Sequence, residues 1–161
     1  RTTVHPNDQQ SKKDGVMIQA TSGALVGPPW QTRENGYILR PTGGVGARAP
    51  SVYIEPHAEF DRNELLREAP VDVVITPTVG QRLPILDLVY GPENTIRLLE
   101  TLRPKVVVSM PNHNVEATGI VAPLVQTVGS KSEFLQRLQR SSVAGTKVLD
   151  LIPGQDQSIQ V

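Results

Sequence analysis

The chain contains no cysteine. That excludes thiol nucleophiles, disulfide staples, Cys-ligated zinc and Cys-ligated iron–sulfur clusters. Histidine is scarce: His5, His57 and His113 are the three in 161 residues, so imidazole chemistry can arise at three places only. Charge of one sign is missing as well. Sixteen basic residues balance sixteen acidic ones, which removes any general pull on nucleic acid or an anionic membrane. Nucleic acid is not an expected partner. No apolar run approaches the roughly 20 residues of a membrane span; the longest, such as Val71-Asp72-Val73-Val74-Ile75, are strand-sized. No transmembrane segment is expected. The start at Arg1 is not a Met and carries no signal-peptide pattern. Aromatic residues are few, and the single tryptophan, Trp30, is expected to be a buried plug.

What is present suits one globular domain with a real core. Residues 1–14 are polar and read as a tail or connection, and residues 15–161 as the domain. Val16 to Ala20 is a strand candidate, followed by a loop through Gly23, Gly27, Pro28 and Pro29. Gly36–Arg40 and Ser51–Glu55 read as two strands of a hairpin, joined by a Gly/Pro-rich connection. Gly43-Gly44-Val45-Gly46 within it lacks the following helix and Lys-Ser/Thr of a phosphate cradle, so a hairpin tip is the better reading. Asp61 can cap a helix over Arg62–Glu68, and a strand follows over Val71–Thr76. Thr78–Val89 is ambiguous, a loop followed by a short helical turn. Pro92 stands near the start of a helix carrying Ile96, Leu99 and Leu102 on one face, which Pro104 stops. Lys105–Met110 is a buried-strand run. Ser130-Lys131-Ser132-Glu133 is a capping-box signature, and its helix should turn Phe134, Leu135 and Leu138 inward. Val148–Ile152 is a strand, Pro153-Gly154 a turn, and Gln157–Val161 a last strand candidate. Strands first and strand–helix alternation afterwards make the fold class α/β.

One stretch concentrates chemistry: Ile54-Glu55-Pro56-His57-Ala58-Glu59-Phe60-Asp61. It sits where a strand ends, the place where ligands gather in open α/β sheets. Glu55, His57 and Asp61 offer the imidazole and carboxylate donors that suit a divalent transition metal. The alternative is a plain turn, with Pro56 ending the strand, Asp61 capping the next helix and His57 on a surface or interface. His113, in Pro111-Asn112-His113-Asn114, is either a metal ligand or part of an Asn-rich turn. His5 lies in the polar tail. Arg33, Glu34 and Asn35 either contact a substrate or form an exposed turn. No nucleophile-elbow context surrounds Ser141 or Ser142.

The runs ATSGALVGPPWQTRENGYIL, VYIEPHAEFD, VDVVITPTV, LRPKVVVSMPNHN and VLDLIPGQ resemble the C-terminal half of a metallo-β-lactamase-fold protein. More narrowly they resemble the lactonase-like branch found in cyanobacteria and plant plastids. The resemblance spans about residues 14–161. It implies half, or an incomplete form, of an αβ/βα sandwich with a metal site at the strand ends, holding zinc, manganese or iron. It also implies a chloroplast setting, with the cytoplasm as the alternative. The family's early His-x-His-x-Asp-His motif is absent from these 161 residues, and its middle-loop histidine has no counterpart at Thr21-Ser22-Gly23-Ala24. The later acidic site corresponds to the Glu55–Asp61 region, with spacing unlike the family's Gly-Asp ending. The last histidine corresponds to His113. The implied metal ligands are therefore His57, Asp61 and His113, with Glu55 weaker.

Two expectations of function follow. One is a hydrolase-like protein acting on a lactone, ester or phosphoester through metal-bound hydroxide, with an incomplete metal site in this chain. The other is a non-catalytic scaffold, subunit or assembly factor of a larger plastid complex, with no cofactor. In either case one sheet face should be exposed, to be covered by a protein partner or an upstream segment.

Overall fold

The computed structural model describes residues 15–26, 30–42, 49–111 and 122–161. Among these residues nine strands and three α-helices run in the order β1 Gly15–Ser22, β2 Asn35–Thr42, β3 Val52–Ile54, α1 Arg62–Leu66, β4 Val73–Pro77, β5 Gly80–Leu83, β6 Leu86–Val89, α2 Glu93–Leu102, β7 Val106–Met110, β8 Gln126–Val128, α3 Lys131–Gln139 and β9 Lys147–Asp150. Six strands form one sheet in the order β1-β2-β3-β4-β7-β9. β1, β2 and β3 are antiparallel neighbours, whereas β3, β4, β7 and β9 run parallel. A second, small antiparallel sheet has the order β6-β5-β8.

The two-residue alternation of strands divides the large sheet into two faces. Register aligns Ile38, Tyr53, Val74 and Val107 on one face. There they form the main core with Leu65 of α1, Ile96, Leu98, Leu99 and Leu102 of α2, and Phe134 and Leu138 of α3. On the other face Val73, Val106, Val108 and Leu149 make a second cluster, joined by Val52, Ile75 and Ile159. The parallel strands are thus apolar on both sides, which is why Val106-Val107-Val108 reads as an unbroken run.

The helices start where their sequences say. Asp61 Oδ1 accepts hydrogen bonds from the backbone N–H of Asn63 (2.8 Å) and Glu64 (3.0 Å). Ser130 Oγ accepts from Glu133 N at 3.1 Å, one arm of a capping box. α2 ends at Leu102, two residues before Pro104: Arg103 turns left-handed at φ 47° and its N–H returns to Leu99 O, a C-terminal cap in a conformation non-glycine residues seldom adopt. α1 is shorter than the sequence implies, closing at Leu66 before a turn.

Four expectations are corrected. Thr78–Val89 contains no helical turn; it is the β5–β6 hairpin, with Leu83 opposite Leu86. Pro84-Ile85 forms its two-residue turn, and the apolar Ile85-Leu86-Leu88-Val89 spacing mimicked a helix. Gln157–Val161 is not a strand; its Ile159 packs on the second face of the large sheet. Leu135 is partly exposed while Phe134 and Leu138 are buried, because i and i+4 share a helix face and i+1 sits about 100° away. Trp30 is not a plug: it is 82% exposed in the turn before β2. The tail 1–14 and the glycines 43–46 lie outside the described residues.

The exposed sheet face is present in part. Val16, Ile18 and Tyr37 on β1 and β2 are exposed on the second face, while the same face over β4, β7 and β9 is buried. Among the described residues, no helix is long and apolar enough to cross a membrane.

Leu99 is fully buried between the sheet and the other helices. Leu99→Ala should lower unfolding free energy by about 3 kcal/mol, read from urea denaturation. Leu135→Ala, at a partly exposed site on α3, should cost much less.

Candidate functional site

The turn after β3 is built around a buried carboxylate. Glu55 is fully buried. Its backbone N–H bonds Ile75 O at 3.1 Å, so it continues the β3–β4 ladder by one residue. Its Oε2 accepts from His57 N (2.9 Å) and Glu59 N (3.0 Å). The two bonds bracket Ala58, which is fully buried with φ 55°. An alanine in that region is strained by roughly 1–2 kcal/mol, and such strain collects at functional turns.

The other oxygen, Glu55 Oε1, is buried without a hydrogen-bond partner, and so is His57 Nδ1. The two stand 3.8 Å apart, and Glu34 Oε2 lies 3.4 Å from the same nitrogen. A gap of 3.8 Å is too long for a formed hydrogen bond. The nearby negative charge still favours imidazolium: Glu55 raises the His57 pKa, partial burial opposes the rise, and Glu34 and Glu59 add to it.

Further contacts fix this turn to its surroundings. Glu59 Oε2 accepts from Leu25 N (2.8 Å), and Glu59 Oε1 from Arg33 Nη1 (3.1 Å). Arg33 Nη1 also donates to Gly23 O at 2.9 Å. The segment before β2 is thereby tied to the segment after β3. On the far side, Tyr90 N donates to His57 O at 2.7 Å. Tyr90 borders a shallow cavity of about 250 Å³ that includes Arg82, Asn94, Arg97 and Val128. Its guanidinium groups are already paired, Arg82 with Asp87 and Arg97 with Glu93.

A polar row crosses the helix-bearing face at the carboxyl ends of the parallel strands. Continuing the register places Glu55 beside Thr76, and Thr76 is paired with Ser109 and Ser109 with Asp150. Thr76 Oγ1 is buried and unpaired. Ser109 Oγ meets Thr78 Oγ1 at 2.7 Å, and Asp150 is ion-paired with Lys131.

Of the four residues proposed from sequence, the structure brings Glu55 and His57 together. It places Asp61 at the head of α1, with Oδ1 occupied by capping. His113 lies outside the described residues. Glu59 and Tyr90 were not singled out by sequence reasoning. Glu59 had a signal, a further carboxylate two residues after His57 in the same charged stretch, whereas Tyr90 was hidden by the misread hairpin. An imidazole nitrogen and a carboxylate oxygen, both buried and without a hydrogen-bond partner, are donor types that transition metals accept. Glu34 does not complete the set. Among the described residues, no group of three or more His, Cys, Asp or Glu is arranged to hold a metal ion.

The raised His57 pKa has a stability consequence. Where the folded value exceeds the unfolded one of about 6.5, stabilisation is full below pH 6.5 and is lost as pH rises through the folded pKa. In an NMR titration, the His57 ring should titrate above about 6.5, and Glu55→Gln should move its midpoint down.

Residues 1–111 match the beta-lactamase superfamily domain. A solved structure from Thermotoga maritima, described as a candidate zinc-dependent hydrolase of the metallo-β-lactamase superfamily, is similar at a TM-score of 0.49. It shows 12% identity over 88% of this chain and 70% of that one. No curated protein matches the chain. The matched span runs from the N-terminal residues through β7 and takes in the whole Glu55–Asp61 turn, and on it the chain belongs to the beta-lactamase superfamily, with a metallo-β-lactamase-like α/β fold.

Proposed function

We propose that this chain is a hydrolase-like member of the superfamily whose own residues supply an incomplete metal site. The observation that carries the reading is the pair of buried donors, Glu55 Oε1 and His57 Nδ1, neither with a hydrogen-bond partner and 3.8 Å apart at the end of a parallel strand. Zinc, manganese or iron bound there would supply hydroxide at neutral pH for attack on a lactone, ester or phosphoester. Catalytic zinc centres take three protein ligands, and Glu55 and His57 are two. The residues therefore fit part of such a site and not a whole one. His113 is the further donor that the sequence resemblance offers. Asp61 is the weaker one, since its Oδ1 serves α1.

A second reading is a non-catalytic scaffold or subunit of a larger complex, a pseudoenzyme in effect. A separate observation favours it: the second face of the large sheet is apolar and exposed at Val16, Ile18 and Tyr37. Exposed contiguous apolar surface marks an interaction site. A protein partner, or a segment preceding this one, would lie over that face. Placement of the protein in a plastid, and of residues 15–161 as its folded unit, rests on the sequence resemblance.

Metal analysis tests the first reading. After loading with zinc and gel filtration, the chain should retain well under one equivalent and hydrolyse no lactone or phosphoester on its own. Zinc uptake, followed with a competing chelator, should weaken at least tenfold in His57→Ala and in Glu55→Gln. A full equivalent retained together with turnover would refute the incomplete site. Uptake unchanged in both variants would remove Glu55 and His57 from it and leave the scaffold reading.

A further inference from the structure

We infer that β1 is an open pairing edge that takes β1 of a second copy of this chain, antiparallel, with Ile18 on the two-fold axis. The inference is independent of any hydrolytic role. Among the described residues, β1 pairs with β2 alone, and no described strand lies along its other side. The strand is eight residues long, GVMIQATS, with no charge and no proline. Val16 and Ile18 are 56% and 59% exposed, and Met17 is exposed on the opposite face. Natural edges are normally shortened, charged or covered against such pairing. The opposite edge of the same sheet is protected in that way: β9 has four residues, two of them Lys147 and Asp150, and Asp150 is held by Lys131.

Hydrogen bonding shows which groups face out. Gly23 N points inward, bonding Glu34 O at 2.9 Å. Alternation then turns the N–H and C=O of odd residues toward β2 and those of even residues outward. Ser22 agrees: its N–H points away from β2 and is taken by Glu64 Oε2 of α1 at 2.9 Å. The usable edge is therefore Val16, Ile18 and Ala20. A two-fold axis through Ile18 sets Ile18 opposite the second copy's Ile18 and Val16 opposite its Ala20. That register uses every free edge group, in roughly six hydrogen bonds. It keeps apolar residues opposite apolar ones on the second face.

The occupant follows from charge and area. The strand is neutral, so two copies meet with no like charges opposed. Gln19, which would lie opposite the second copy's Met17, is already satisfied by Glu68 and Arg40. Val16, Met17 and Ile18 are the large apolar side chains exposed on β1, too few to reach the ~800 Å² per partner of a standard interface. The dimer is accordingly a concentration-dependent one. Pairing also joins the exposed Val16–Ile18–Tyr37 strips of both copies into one.

Sedimentation equilibrium of the full chain tests this. The weight-average mass should climb with concentration from 17.5 kDa toward twice that value. Ile18→Lys should hold it at the single-chain value with an unchanged circular dichroism spectrum. Ile18→Pro should do the same, since it removes an outward N–H and spares the β1–β2 ladder. The chain has no cysteine, so Ile18→Cys provides a sole thiol. On mild oxidation it should give a disulfide-linked dimer faster than Met17→Cys, because opposed Cα atoms sit about 5.5 Å apart. A single-chain mass at every concentration would overturn the inference. So would association that survives Ile18→Lys, or faster cross-linking through Met17→Cys.

Discussion

One buried carboxylate organises the candidate site. A carboxylate removed from water is costly unless it is paired or hydrogen-bonded. Glu55 resolves that cost by half. One oxygen gathers the N–H groups of His57 and Glu59, and this fixes the path of the turn and holds Ala58 in its left-handed conformation. The other oxygen is left facing the imidazole of His57. The placement of His57 and the largest part of its pKa rise follow from that arrangement. Removing the Glu55 charge would therefore act on the backbone of the turn and on the histidine at once.

The turn gains rigidity from contacts made far away in sequence. Glu59 holds the N–H of Leu25 and the guanidinium of Arg33, and Arg33 holds the carbonyl of Gly23. Tyr90 is joined to the carbonyl of His57. Three separate segments thus converge on the turn at His57 and Glu59. The polar row Glu55, Thr76, Ser109 and Asp150 lies where the parallel strands end, which is where an α/β sheet opens toward ligands. Of its middle members Ser109 is held by Thr78, while the Thr76 hydroxyl beside Glu55 has no hydrogen-bond partner, so the unsatisfied polar groups gather at the Glu55 end.

Much of this was legible in the sequence because the signals were local. Asp61 and Ser130 announced their helices through side chains that replace missing backbone partners. The valine run at 106–108 announced a strand buried on both sides, and Glu55-Pro56-His57 marked a strand end with charge. What could not be read depended on tertiary contact. Pro84-Ile85 gave no Asn-Gly signal, so the hairpin it closes looked like a helical turn. Trp30 is large and apolar, but nothing in its own neighbourhood says whether a core lies within reach. Ile159 sits in a segment without regular structure and is kept by the sheet it lies on. The approach of Glu34 to His57 joins two strand ends that only the β2–β3 pairing brings together.

The two edges of the six-stranded sheet differ in kind, and the difference limits what the sheet can become. An element with two open edges can add neighbours without end, as cross-β fibres do. Here β9 is short and charged, and the far end of β1 is closed by the Glu64 carboxylate on Ser22. A sheet with one usable edge can accept one neighbour and then has none left to offer. Growth by strand addition is thereby self-terminating, and the long neutral strand can be tolerated without a path to fibres.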